Sequence, residues 1–253
     1  LALLLAALQP GLASAYKQAP SLDPLVRSGA LPPVEKRLPA QPEVITPVQR
    51  NGQYGGVLRS ALRGNADYHA ILRLVGNQGL SRWSLDFNSV QPNIAESWTV
   101  NVDASEYIFK LRRGMRWSDG SPFTADDVLF SVNDVSGNKQ FLANPPDVLV
   151  VKDKMAEVTK LDDYTVKFKF AGSYVSFPEV LAMPLGQYPV MWQKKYCSRF
   201  HPDYNPKVEE LVAQSNAKTW GTLMRIKCGD AEVPTRWGNP EKPTLDPWVI
   251  ERP

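Results

Sequence analysis

The chain has 253 residues, 43% of them hydrophobic and 10% aromatic, which allows a sizeable core and excludes wholesale disorder. Its 29 basic and 26 acidic residues leave a formal charge of +3, scattered along the sequence. The densest basic run, Arg112-Arg113 with Arg116, is interrupted by apolar residues and reads as a solvated strand edge. Nothing in this pattern argues for a nucleic-acid partner.

The first segment, Leu1 to Leu8, reads LALLLAAL, and no charge precedes Lys17. Pro10-Gly11 breaks any helix, and Ala13-Ser14-Ala15 supplies the small residues of a cleavage site. The pattern predicts the second half of a secretory signal, cleaved after Ala15, and therefore a periplasmic protein. An apolar run this short cannot cross ~30 Å of hydrocarbon. No initiator Met or basic n-region is present, so the sequence is expected to begin inside the signal. Export permits disulfides, and Cys197 and Cys228 are the only cysteines. A structural bridge between them is expected in preference to free thiols, contributing roughly 3 kcal/mol by loop closure. Two cysteines with His201 nearby do not make a tetrahedral zinc site, and no cofactor or metal is expected.

Residues 16 to 51 hold seven of the 22 prolines. Proline fixes φ and lacks a donor, so this leader is predicted to run as extended chain, with a helical turn at Ser21 to Gly29. Tyr54-Gly55-Gly56-Val57-Leu58-Arg59-Ser60 is expected to open the first strand. Tyr107, Phe109 and Leu111 alternate with Ile108 and Lys110, which predicts a strand with one buried face. Ser118-Asp119-Gly120 is a turn, and Thr124 caps a helix whose first turn carries Asp126 and Asp127. A second hairpin runs from Ala156 to Lys160, turns at Asp162-Asp163, and returns through Val166, Phe168 and Phe170. Short elements punctuated by Pro178, Pro184 and Pro189 follow, then an amphipathic helix over 207–217. The tail from Pro234 to Pro253 holds five prolines and no periodic element. Alternating strands, hairpins and helices predict an α/β chain of mixed α+β elements.

Catalytic patterns are scarce. Neither His69 nor His201 has a metal-ligand spacing, and no G-x-S-x-G, P-loop or G-x-G-x-x-G occurs. The carboxylate pairs Asp126-Asp127, Asp162-Asp163 and Glu209-Glu210 fit a helix start, a hairpin turn and a solvated helix face. The chain is not expected to be an enzyme.

Ile94-Ala95-Glu96-Ser97-Trp98, Tyr107 to Gly114, Trp117-Ser118-Asp119-Gly120, Pro122 and Thr124 to Val128 occur in an order and spacing that closely resemble the signature of family 5 extracellular solute-binding proteins. Tyr54-Gly55-Gly56 and the stretch from Asn239-Pro240 to Trp248 are also similar to that family, the oligopeptide-, dipeptide- and nickel-binding group serving ABC importers. The resemblance implies the first lobe of a two-lobed periplasmic-binding-protein fold, without the second lobe. Residues 52–253 form that lobe on this reading, with an accessory hairpin subdomain at roughly 80–170. It also implies hinge closure over an oligopeptide, opine or sugar-like solute, delivery to ABC permease subunits, and a monomeric carrier. A peptide-holding chaperone, or a secreted enzyme with its chemistry in the missing half, are the alternatives. Loops at strand ends would meet the solute, which singles out Asn65, Asp67, Tyr68, Trp83 and Tyr188. Each also has an ordinary role open to it: turn or cap for Asn65 and Asp67, packing for the three aromatics.

Overall fold

Side-chain alternation sets the centre of the fold. Along β4 (Glu106–Leu111), Tyr107, Phe109 and Leu111 are buried, and along β8 (Thr165–Lys169), Val166 and Phe168 are buried. Two strands with one apolar face each are most stable side by side. In the computed structural model, which describes residues 16–64, 67, 70, 78–231 and 234–251, they pair antiparallel, with Phe109 opposite Val166 and Tyr107 opposite Phe168. β3 (Ala95–Val100) and β7 (Glu157–Asp162) complete a four-stranded antiparallel sheet in the order β3-β4-β8-β7. β1 (Ser81–Trp83) with β2 (Val90–Pro92), and β5 (Val150–Val151) with β6 (Lys154–Met155), form two small hairpins.

The buried face is aromatic. Phe177 stands with its ring centroid 4.7 Å from Phe170, 5.4 Å from Phe168 and 6.0 Å from Phe109. Each such ring contributes roughly 1.5–3 kcal/mol by leaving water, with edge-to-face geometry adding to it. The core continues without a break from Leu80 to Ala231.

The predicted cap at Thr124 is present. Its backbone N–H donates to Asp127 Oδ2 at 3.0 Å, closing a capping box on the helix Ala125–Leu129. The helix then widens into a π-helical stretch, Phe130–Ser136, which buries Ser131. The Ser131 hydroxyl donates to Trp192 O at 3.0 Å and accepts from Trp192 N at 3.2 Å, tying this helix to the chain after Pro189. Asp127 Oδ1 accepts from Lys194 N at 2.9 Å and adds a second tie.

The leader runs as extended chain with short helices at Asp23–Arg27 and Val34–Arg37. It is fastened to the body where Ala40 N donates to Arg113 O (2.8 Å) and Arg112 Nη1 donates to Gln41 O (2.9 Å). An Arg82–Glu43 ion pair holds it further along. The expected signal at 1–15 lies outside the described residues.

Two expectations are corrected. Tyr54 to Ser60 forms no strand: Tyr54, Val57 and Leu58 are 63%, 77% and 72% exposed, and among the described residues no neighbour offers them a ladder. Apolar pattern and glycines do not make a strand unless backbone donors and acceptors find a partner. The helix expected over 207–217 is limited to Val208–Ala213, because Ser215 folds back onto Val212 O at 2.9 Å and stops it.

Candidate functional site

The clearest enclosed polar site is built by the chain that follows the helix Trp220–Cys228. Thr219 caps this helix, its hydroxyl accepting from Thr222 N at 3.2 Å. A disulfide joins Cys197 to Cys228 with Cα atoms 5.9 Å apart, so the helix end is fixed to Lys194–Cys197. Gly229 then turns the chain at φ 74°, and its carbonyl accepts from Trp192 Nε1 at 3.1 Å. The 3-10 turn Pro234–Trp237 presses against that glycine, where an added Cβ would stand only 2.7 Å from Arg236 Cα.

Arg236 is thereby carried inside. Its Nη2 donates to Asp246 Oδ2 at 3.1 Å and Oδ1 at 3.3 Å, and the two side chains are 4% and 9% exposed. Asn239 closes the loop by donating to Lys227 O (2.7 Å) and Tyr196 Oη (2.8 Å). Thr244 is clamped to the Trp117–Gly120 turn: Thr244 N donates to Ser118 Oγ, and Ser118 N donates to Thr244 O, both at 3.0 Å. The signature turn and the tail thus make one structure.

Lys242 lies within this loop. Its side chain is partly exposed, and burial, with the like charge of Arg236, pushes its pKa down to about 7. Asp246 offsets part of the shift. Burial lowers the Arg236 pKa as well, opposed by Asp246 and by nearby Tyr188. A narrow crevice of about 20 Å³, room for about one water, is lined by Arg236, Lys242 and Asp246 together with Trp237 and Trp248. Nothing in it pairs a nucleophile with a base, and Asp246 is already engaged by Arg236.

The sequence-predicted residues are dispersed. Asn65 and Tyr68 lie outside the described residues. Asp67 serves a turn, its Oδ2 accepting from Arg63 N at 2.7 Å. Trp83 is half-buried on β1, opposite Val90, in a hairpin that packs against the helix Phe177–Leu181. Tyr188 is buried in the next turn of chain, 5.8 Å from the Trp192 ring, and it alone of the described three faces the Arg236 cluster. Arg236, Lys242 and Asp246 were not singled out by sequence reasoning. Their one signal is three charged residues in a Pro-rich stretch that cannot form a solvated helix face.

His201 is fully buried, with Nε2 donating to Asp134 O at 3.0 Å and Nδ1 accepting from Asp203 N at 3.3 Å. Among the described residues no group of three or more His, Cys, Asp or Glu is placed to hold a metal, and no helix is long and apolar enough to cross a membrane.

Residues 89–222 match the model for bacterial extracellular solute-binding proteins, family 5, middle region. A periplasmic alpha-galactoside-binding protein of Rhizobium meliloti is 30% identical over 172 residues, 59% of this chain and 24% of that protein. Di/tripeptide-binding protein 1 of Pseudomonas aeruginosa is 31% identical over 147 residues, 53% of this chain and 26% of that protein. Among solved structures, an oligopeptide-binding protein OppA superposes with a TM-score of 0.81 at 38% identity, covering 92% of this chain and 35% of that one. The chain therefore spans about a third or less of the length of these proteins, and its fold corresponds to part of one such binding protein.

Proposed function

Because the chain belongs to the family 5 bacterial extracellular solute-binding proteins, we propose that it takes up a small organic solute outside the cytoplasmic membrane and hands it to the permease of an ABC importer. The observation that carries this reading is the family match across 89–222, which includes the four-stranded sheet and the Trp117–Gly120 turn that holds the candidate site. The similar proteins carry the names of binding proteins, which supports a binding role. The protein works in the periplasm as a monomer, with no cofactor. Residues 1–15 serve as the export signal, 16–51 as an extended leader, and roughly 80–170 as an accessory unit. Tyr188 contributes to the solute wall, and Asp67, Trp83, Asn65 and Tyr68 form its outer contacts.

The names of the similar proteins point to two solute classes for a first test: α-galactosides and di- or tripeptides. Thermal unfolding of the full-length protein is measured with each. A ligand at 100 times its dissociation constant stabilises by about 2.7 kcal/mol, a rise of several degrees. A rise with one class and no chemical change in the solute is the expected result. Conversion of the solute would make the protein an enzyme, and stabilisation by any extended peptide regardless of sequence or length would favour a holding chaperone.

A further inference from the structure

The densest basic run of the sequence, Arg112-Arg113 with Arg116, meets a second one in the structure. Ala40 N donates to Arg113 O, and Arg112 Nη1 donates to Gln41 O, which lays the leader along the run. Lys36 and Arg37, on the helix Val34–Arg37, are thereby brought to the same cleft as Arg116. This cleft, about 590 Å³, is also lined by Leu31, Pro32 and the Trp117–Gly120 turn. Among the described residues none of the five cations forms an ion pair. Their acceptors are neutral: Arg37 donates to Pro32 O at 2.9 Å, Arg112 to Asn93 O at 2.7 Å, and Arg116 to Gly120 O at 2.9 Å. Asp119, the one carboxylate on the cleft, is already engaged, accepting from Ser121 N at 3.0 Å and Gln193 Nε2 at 3.1 Å and facing Lys195 at 3.8 Å. Residues 34–41 and 112–120 together carry five cations against two carboxylates, Glu35 and Asp119. That surplus of three equals the formal charge of the whole chain, so the rest of the sequence is neutral on balance.

A concentrated surplus of unpaired cations is matched by a surface of opposite sign. Guanidinium groups present paired donors that fit phosphate oxygens. Leu31 and Pro32, on the wall of the same cleft, supply apolar surface for the carbon atoms beside such a phosphate. An acidic protein segment would use the cations and leave that wall unused. We propose that this face docks on anionic phospholipid, with one headgroup phosphate received in the cleft by Lys36, Arg37 and Arg116, and with Arg112 and Arg113 against neighbouring headgroups. The proposal rests on the carrier reading only for bringing the protein to a membrane; the face itself is defined by the leader and the basic run. Docking concentrates the carrier at the surface in which its importer sits. Each cation near such a surface contributes about fivefold in binding, and the attraction weakens as salt rises.

The test sediments the full-length protein, without solute, with vesicles of phosphatidylcholine alone or mixed with phosphatidylglycerol. Three variants are compared with it: Lys36→Glu, Lys36→Glu/Arg116→Glu, and Lys139→Glu/Lys218→Glu, whose two exposed lysines lie outside both basic stretches. The wild type should prefer the phosphatidylglycerol vesicles by about tenfold or more, and the preference should fade in high salt. Lys36→Glu, at an exposed residue with no partner among the described residues, keeps the fold and should lower binding at least fivefold. The double change at Lys36 and Arg116 should abolish the preference, while the charge-matched pair at Lys139 and Lys218 keeps most of it. Equal binding to both vesicle types, or equal loss in the two double variants, overturns the docking face. Binding to polyglutamate with none to vesicles makes the face a protein contact, and stabilisation by glycerol 1-phosphate alone makes it a site for a soluble phosphate ester; either result overturns membrane docking. These outcomes leave the carrier reading untouched, since that reading is decided by solute-dependent unfolding. A failed solute screen with vesicle binding intact removes the carrier reading and leaves the docking face standing.

Discussion

A lysine ammonium partly withdrawn from water and set near another cation titrates below its ordinary value, and for Lys242 the value falls from 10.5 to about 7. Below pH 7 the folded and unfolded chains both carry the proton, so the burial cost is present in full. Between about 7 and 10.5 the folded chain is neutral at this site while the unfolded chain still holds the proton, so stability rises with pH across that window. Replacing Lys242 by Met removes the cost, and the variant should gain more in Tm at pH 6 than at pH 9. Equal gains at both values would show that Lys242 titrates normally. Gly229 is the other residue on which the site depends. Gly229→Ala meets both a positive φ of 74° and Arg236 Cα at 2.7 Å, and should cost roughly 1–3 kcal/mol or more in urea unfolding. Gly120→Ala, at φ 82° with nothing within 4 Å, should cost nearer 1 kcal/mol. A sequence gives both glycines the same appearance. What separates them is a backbone arriving from seven residues downstream, which only the tertiary fold supplies.

Elements stabilised by their own pattern were the legible ones. β4 and β8 announce themselves by alternation, and the Ala125–Leu129 helix by Thr124 and its acidic first turn. The Asp162 turn follows the same rule, with its carboxylate accepting from Tyr164 N (2.7 Å) and Thr165 Oγ1 (2.8 Å). Those bonds hold Asp162 below the usual carboxylate range, so this turn contributes above pH 3.8 and loses its contribution as pH falls below that. The π-helical stretch Phe130–Ser136 has no such local cause. It is held open by Ser131, whose hydroxyl both gives to and takes from the Trp192 backbone, more than fifty residues away. Ser131→Ala leaves that buried N–H and C=O unmet and should cost roughly 1–3 kcal/mol in chemical denaturation. A cost near zero would mean that water replaces the hydroxyl. The opposite failure occurs at Tyr54 to Ser60, where a strand-like pattern has no partner among the described residues.

At the scale of the whole molecule, the candidate site joins three distant parts of the chain: the Trp117–Gly120 turn, the segment around Tyr188 and Trp192, and the loop from Gly229 to Asp246. No local pattern encodes that meeting, which explains why the family signature was readable while Arg236 and Lys242 were passed over. The disulfide is the covalent link among these parts, since Cys228 immediately precedes Gly229 and Cys197 follows Lys194. Closing a separation of 31 residues should restrict the unfolded chain by roughly 3 kcal/mol. The position of the bridge predicts a second, local effect. In a Cys197→Ala/Cys228→Ala variant, the helix end is free to move from Lys194–Cys197, and the loop carrying Arg236 and Lys242 loses its fixed base. Amide exchange should therefore accelerate over 229–246, while β4 and β8 stay protected up to global unfolding, held by the ring contacts among Phe109, Phe168 and Phe177. If stability drops but exchange over 229–246 keeps its wild-type rate, the bridge acts on the unfolded chain alone, and Asn239 and Thr244 suffice to hold the cation loop in place.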